Sequence, residues 1–512
     1  MNQVMLIYFA FLATALLVYY IIPKRFRWIA LLVFSLGFYA VISRYLIVFV
    51  LTTSLSVYLA ARFFIKEADA EADDAAKKRR KTKNKAAIVL TVVFNLLILG
   101  FLKYYNFLGD TFNSLLAYSG ARFRFPILSL ALPLGISFYT LTAIGYLTDV
   151  YRKKYPPEKN LAKICLFLSF FPQILEGPIC RYDQTGKKLF EGENAGYEGF
   201  IFGLQRILWG LFKKMVVADR LFMLVNTVFS DPAQYSGVAS IMVIVCYTIQ
   251  LYADFSGFID IALGSAEMFG IKLPENFRQP FFAKSAQEFW QRWHITLGLW
   301  LKEYVFYSVA LSPKVLSVCG KIKKRWKNHF TKTLPTVLAL LAVWICNGIW
   351  HGPEWKYIVY GMYYFVIIFI SLMTEPLFKK FYAKVKINPQ NKFLNACRHL
   401  RTILIILIGE TIFGANSLGD AFMILGSVFR PYQGSIFSLG LDWKELVIAL
   451  LGAGMMLVVG ILKERKVDIR AAIASKVLPL RWAPYLAMVV FIAVFGAYGE
   501  FYSVVPFIYG AF

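Results

Sequence analysis

The sequence predicts an all-α polytopic membrane protein, with roughly 11–13 transmembrane helices plus short re-entrant or interfacial helices. Three observations predict it. First, 58% of the 512 residues are apolar and only 17% are charged, against roughly 45–50% and 25% in ordinary soluble domains. A soluble globule of this size could not hide so much apolar surface, and a disordered chain would carry far less of it. Second, the apolar residues come in continuous runs near the length of a bilayer span, not in the short alternating segments of a β-barrel. Third, the formal net charge of +26 is bunched between those runs: residues 77–85, 314–332, 379–401 and 463–481 hold 27 of the 56 Lys and Arg. Such clustering is expected of cytoplasmic loops beside an anionic lipid surface. Nucleic acid is not expected as a partner, because these stretches lack interleaved aromatic residues for base stacking.

The first run, about residues 4–22, has no Lys or Arg before it. It reads as a retained span, since a secretory signal peptide would start with a basic region. Lys24, Arg25 and Arg27 follow it. A second run (about 28–43) is followed by Arg44 alone, and a third (about 45–65) by the basic block Lys77–Lys85. Cations thus follow runs one and three, which puts the N-terminus on the extracytoplasmic side. Residues 66–85 form a charged cytoplasmic loop, acidic at Glu67, Asp69, Glu71, Asp73 and Asp74 and then basic. That pattern fits a solvated helix or a disordered loop.

Further runs lie near 86–102, 127–148, 161–175, 199–218, 237–253, 335–350, 357–373, 402–413, 445–462 and 484–498. Leu132-Pro133-Leu134-Gly135 and Phe171-Pro172-Gln173 interrupt two of them. Such breaks at membrane depth persist only where protein or a water-filled cavity covers the backbone, so the central third is expected to enclose an interior space. Without internal repeats or a soluble domain, residues 1–512 read as a single integral membrane unit. The six cysteines form no C-x-x-C pair; buried, inert thiols are expected, and no metal site.

Four histidines are the candidates for chemistry. His329 and His399 sit among cations and read as solvated loop residues. His294 and His351 each follow a tryptophan in apolar surroundings, where an ionisable group is costly unless it faces a cavity or a partner. His351 ends a long run, Gly352-Pro353 stops the helix, and the next run begins near Tyr357. That places an imidazole at a broken helix end at membrane depth. The residues alone leave open a buried histidine with one structural hydrogen bond. Around His294, Ser285-Ala286-Gln287-Glu288 reads as a capping box opening a helix over about 286–311. In that helix Glu288 pairs with Arg292, and Gln287, Gln291 and His294 share a face. It fits either a cavity wall or an interfacial helix. Asp254 and Asp260 lie in an apolar stretch with no base nearby in sequence; they must find partners in space or be neutral, as a bracing network or in a direct role.

There is no G-x-x-x-x-G-K-[ST], G-x-S-x-G or H-E-x-x-H, so ATP hydrolysis, serine hydrolysis and zinc proteolysis lack support. Leu299 and Lys356 stand five residues after the two histidines, so the H-x-x-x-x-D pattern of glycerolipid acyltransferases is also missing.

Over about residues 132–360 the chain resembles the membrane-bound O-acyltransferases, in their bacterial alginate O-acetylation-like branch. The resemblance rests on Leu132–Tyr139, Asp149-Val150-Tyr151-Arg152, Phe170–Gln173, Gly177-Pro178-Ile179, Asp254–Gly257, Glu275-Asn276-Phe277, Glu288–Thr296 and Trp350-His351-Gly352. The chain differs from the family pattern at Glu176, where small residues are usual, and in the tail Phe507–Phe512. The resemblance implies helices around a central funnel, with His351 and His294 as the catalytic residues. Asn347, Trp350, Trp293, Asp254, Asn276 and Arg292 are the expected substrate-binding residues.

The expected reaction moves an acyl group, acetyl by expectation, from a cytoplasmic thioester to a hydroxyl of an extracytoplasmic polysaccharide or partner protein. His351 takes the hydroxyl proton, and His294 or Asn347 donates to the oxyanion or orients the donor. No bound cofactor is expected; acetyl-CoA or another acyl thioester is the donor substrate. The expected partners are the lipid bilayer, the cytoplasmic donor and an extracytoplasmic polysaccharide or secreted acyltransferase, in a multi-pass protein of the cell membrane. Two alternatives stand: D-alanyl transfer from a carrier protein to teichoic acid, and a polytopic transporter or flippase.

Overall fold

The computed structural model describes residues 3–66, 73–120, 123–386 and 388–498. Glu67, Asp69, Glu71 and the tail Phe507–Phe512 lie outside the described residues. All regular structure among the described residues is helical. The chain divides into two compact units, Asn2–Ile207 with Ala262–Pro274, and Leu208–Ile261 with Glu275–Phe512.

The unit formed by Asn2–Ile207 and Ala262–Pro274 contains α1 (Gln3–Ile21), α2 (Arg27–Ser43), α3 (Ile47–Leu59), α4 (Asp74–Tyr118), α5 (Ile136–Tyr151) and α6 (Leu161–Ser169). Helices α1 and α2 lock through edge-on aromatic rings: Tyr8 and Phe38 at 5.9 Å, Phe11 and Phe38 at 5.6 Å. Tyrosine hydroxyls that would be stranded in this apolar packing donate to backbone carbonyls, Tyr19 to Glu193 at 2.7 Å and Tyr39 to Leu134 at 3.0 Å, as buried polar groups must. Asp73 caps α4 by accepting from the Ala76 N–H. From residue 73 onward, therefore, the charged stretch is a helix continuous with the apolar run behind it. At 45 residues that helix is about 68 Å long, more than twice the hydrocarbon thickness. Its exposed Lys77–Lys85 end can stand in water while an apolar part of it crosses the hydrocarbon.

Both sequence breaks lie in packed protein. Gly135 has φ 65°, and a Cβ there would lie 2.0 Å from the Ile174 carbonyl oxygen, so only glycine fits. Helix α5 starts directly after it, and 14 of its 16 residues are buried, so it is an internal helix. The 127–148 run is thus no single span. Glu176 is buried in the irregular segment that follows.

The unit formed by Leu208–Ile261 and Glu275–Phe512 takes in the end of α7 (Gly196–Phe212), α8 (Asp219–Ser230) and most of α9 (Gly237–Met268). It continues with α10 (Ala286–Arg292), α11 (Ile295–Leu301), α12 (Tyr307–Ala310) and α13 (Pro313–Arg325). Next come α14 (His329–His351), α15 (Trp355–Val385), α16 (Lys392–Gly414), α17 (Leu418–Ser427), α18 (Trp443–Glu464) and α19 (Leu478–Phe495). Helices α14 and α15 pair closely. A Cβ on Gly348 would sit 2.5 Å from the Tyr357 carbonyl oxygen, and one on Gly361 2.4 Å from that of Trp344. Small residues let two membrane helices come this close.

Among the described residues, seven helical stretches are long and apolar enough to cross a bilayer, and α11–α12 with α13, bent by 56°, would make an eighth. The protein is thus multi-pass. One of these stretches, Lys24–Phe64, is 41 residues long and holds both α2 and α3, and the shorter apolar Met5–Ile21 is not counted among them. The 161–175 run yields the nine-residue α6, and α16 carries Arg398 and Arg401 within its length. His329 and His399 are not loop residues: both lie on helices, with ring nitrogens at 3.1 Å from the carbonyl oxygens of Leu372 and Ala283. Four cysteines are buried, whereas Cys346 and Cys397 are exposed.

Candidate active site

The stretch around His294 is not one helix. Ser285 caps α10 by accepting from the Glu288 N–H at 3.1 Å, while Glu288 accepts from the Lys284 N–H at 2.8 Å. Helix α10 ends at Arg292; Trp293 is extended, and His294 takes a left-handed conformation with φ 45° and ψ 50°. The expected helix over 286–311 is therefore interrupted, and His294 does not share a helical face with Gln287 and Gln291. The cause is Asn276. Its carbonyl accepts from the Ile295 N–H at 3.0 Å. Its carboxamide oxygen accepts from the Thr296 N–H at 3.0 Å and hydroxyl at 2.9 Å, and faces His294 Nδ1 at 3.3 Å. These contacts stabilise the first turn of α11 and offset the strain of a non-glycine residue in the left-handed region.

The same contacts assign a tautomer. An oxygen that accepts from a backbone N–H cannot donate to the imidazole, so His294 Nδ1 carries the proton and Nε2 the lone pair. In that state His294 accepts a hydrogen bond through Nε2 and cannot donate one to an oxyanion.

Arg292 and Trp293 fix this break from the other side. Arg292 pairs with Glu288 at 2.8 Å, as its i, i+4 spacing predicts, and forks onto Glu464 at 2.8 and 3.0 Å. Hydrogen bonding to Glu464 raises the pKa of Arg292 against the opposing effect of burial. Trp293 is buried, stacked on Phe289 and edge-on to Phe277.

His351 is the last residue of α14, and α15 begins four residues later at Trp355, as the sequence break predicts. Its imidazole is 2% exposed and lies edge-on to Trp350, Tyr360 and Phe413 at 5.0, 5.8 and 5.2 Å. The Trp350 indole also meets the His294 ring at 5.5 Å. One indole is thus in contact with both imidazoles.

A cavity of about 1450 Å³ reaches this centre, larger than the roughly 300–1,000 Å³ of ordinary small-molecule pockets. His294, Asn347, Trp290 and Trp344 line one region of it, Leu340, Val343, Ile367 and Ile368 its apolar walls, and Lys379, Lys386, Arg398 and Arg401 another region. On α15 the lining runs from Ile367 to Lys386, about 28 Å of helix. Gln287 and Gln291 also line it. His351 stands behind this surface, one helical turn beyond Asn347 and against Trp350. Trp350, Trp293, Arg292, Asn276 and Asp254 are likewise not among the lining residues.

Asp254 and Asp260 do find partners. Lys214 lies 2.5 Å from Asp254 and 2.9 Å from Asp219, and Lys213 lies 2.6 Å from Asp260. Lys213 also donates to the Ser256 hydroxyl at 2.9 Å. Both lysines sit in a π-helical turn, Lys213–Ala218, which the sequence reading missed. Two adjacent lysines inside an apolar run were the available signal.

Residues 152–320 match the membrane-bound O-acyltransferase family, a segment that contains Asp254, Asn276, Arg292, Trp293 and His294 but ends before Asn347 and His351. The chain is 30% identical to the probable alginate O-acetylase AlgI of Pseudomonas aeruginosa, over 82% of this chain and 73% of that protein. The chain belongs to the membrane-bound O-acyltransferase family. It is an integral membrane O-acyltransferase, which sets the transporter reading aside. It is also 31% identical to the peptidoglycan O-acetyltransferase of Helicobacter pylori, over 58% of this chain and 57% of that protein. The teichoic acid D-alanyltransferase of Bacillus subtilis is 28% identical over 55% of this chain and 69% of that protein.

Proposed function

We propose that this protein moves an acetyl group from cytoplasmic acetyl-CoA to a hydroxyl of an extracytoplasmic polysaccharide, directly or through a secreted acyltransferase. The observation that carries the reading is the cavity that joins a cationic region to the residues beside Trp350. Lys379, Lys386, Arg398 and Arg401 suit the phosphates of CoA, and the apolar walls suit its pantetheine arm and acyl group. By the positive-inside rule, these basic residues turn that end toward the cytoplasm.

His351 takes the proton of the acceptor hydroxyl as its oxygen attacks the thioester carbonyl. The tetrahedral oxyanion receives a hydrogen bond from the Asn347 amide, because the assigned tautomer of His294 presents a lone pair. The carbon–sulfur bond then breaks, and the proton held by His351 passes to the leaving thiolate. His294 Nε2 orients the reactants as an acceptor. Trp350 holds the two imidazoles in place, Trp293, Asn276 and Arg292 hold the break between α10 and α11, and Asp254 braces α9 through Lys214.

The D-alanyl reading shares this chemistry and differs in the donor; its relative matches 55% of the chain, against 82% for the alginate relative. Purified protein in vesicles, supplied with labelled acetyl-CoA and a hydroxylated polysaccharide, is expected to release CoA and label the polymer. Label transfer from a D-alanyl carrier protein, with acetyl-CoA untouched, would overturn the acetyl assignment.

A further inference from the structure

Glu410 is an ionisable residue that the scheme above leaves unused. It lies one turn before the end of α16 and is 1% exposed. Its Oε1 accepts from the Tyr360 hydroxyl at 3.4 Å. Its Oε2 has no hydrogen-bond partner among the described residues, and no cation there pairs with it. A carboxyl group in such surroundings is costly, and an acid at membrane depth is a functional candidate by default.

The surroundings lead from Glu410 to His351. Tyr360, its hydrogen-bond donor, sets its ring at 89° to the His351 imidazole, 5.8 Å away. Phe413, one turn along α16, meets the same imidazole at 5.2 Å. Gly409 allows this approach of α16 to α15: a Cβ there would lie 2.5 Å from the Tyr364 hydroxyl oxygen. Among the described residues, the titratable groups around the cluster are His351 from α14, Tyr357, Tyr360, Tyr363 and Tyr364 from α15, and Glu410 from α16. Helix α10 contributes the Trp290 indole, 6.1 Å from Tyr360. Lys356 is directed elsewhere, to the Ala415 carbonyl at 2.9 Å and Glu354 at 3.3 Å.

We propose that Glu410 is a positioning residue for His351: its carboxyl accepts from the Tyr360 hydroxyl and so holds that ring edge-on against the imidazole. The inference rests on His351 as the general base. No bond to Glu410 forms or breaks; the proton goes from the acceptor hydroxyl to His351 and then to the thiolate.

The test measures acetyl transfer from labelled acetyl-CoA to polysaccharide, with full-length protein in vesicles. Glu410→Leu, which removes the acceptor, is expected to lower kcat about tenfold, with KM for acetyl-CoA held within about twofold. Glu410→Gln keeps a carbonyl for the Tyr360 hydroxyl and restores most of the loss. Tyr360→Phe removes only the hydroxyl; it lowers kcat in the same direction and carries the test if Glu410→Leu does not fold. An unchanged kcat in Glu410→Leu, or a loss that Glu410→Gln does not restore, overturns the inference. His351→Ala separates the two readings. If that variant stays active, the base assignment itself fails; if it is inactive while the Glu410 and Tyr360 variants behave as wild type, only the role of Glu410 fails.

Discussion

The carboxamide oxygen of Asn276 lies 3.3 Å from His294 Nδ1 while it accepts two hydrogen bonds from Thr296. That side chain thereby supports the first turn of α11 and fixes the tautomer of a buried imidazole. Replacing Asn276 with Ala leaves several buried donors unsatisfied, at a cost of about 1–3 kcal/mol for each group. The expected outcome is a lower melting temperature together with a loss of kcat. Full activity in a folded Asn276→Ala protein would show that the conformation of His294 does not matter to turnover.

The ion pairs of the π-helical turn make a second prediction. Lys214→Ala leaves the Asp254 carboxylate buried without its cation, a loss of about 3–5 kcal/mol. A Lys214→Met, Asp254→Leu, Asp219→Asn triple variant removes all three charges of that cluster and should recover most of that stability in a thermal melt. If Asp254 only braces α9, the folded triple variant also transfers acyl groups at a rate near wild type.

The pairing of α14 with α15 can be tested by size alone. A side chain on Gly361 must push Trp344 away, and with it the turn leading to Asn347. Gly361→Leu is expected to cost about 1–3 kcal/mol or more from overpacking, read as a lower melting temperature. An unchanged melt would contradict the close approach.

These relationships differ in how legible they were. The cap at Ser285, the Glu288–Arg292 pair and the break after His351 depend on neighbours within a few residues, and local spacing reveals them. The need of Asp254 and Asp260 for partners was also visible, because bare charges in an apolar run are costly. Their partners Lys213 and Lys214 lie some forty residues earlier, and only the π-helical turn aims them both at α9. The left-handed His294 depends on Asn276, 18 positions away, so local capping signals pointed to a continuous helix instead. An apolar run need not face lipid. A buried internal helix such as α5 has the same composition, and composition cannot tell which face it meets. Glu410 stayed unremarked for a similar reason: in sequence it is a single acid in a run of aliphatic residues.

The cationic lining offers a prediction about the donor. Reversing Arg398 and Arg401 to Glu should raise KM for acetyl-CoA about tenfold or more and weaken its dependence on salt, with kcat near wild type. Steady-state kinetics at two ionic strengths checks it. A fall in kcat with KM unchanged would place the donor phosphates elsewhere.

The account turns on the imidazole at the end of α14, and the most direct measurement is acetyl transfer by His351→Ala against wild type, matched for folded protein in vesicles. Loss of a general base predicts a fall of about 10²-fold or more in kcat, with acetyl-CoA still bound in the cavity. Transfer by His351→Ala at the wild-type rate would contradict it.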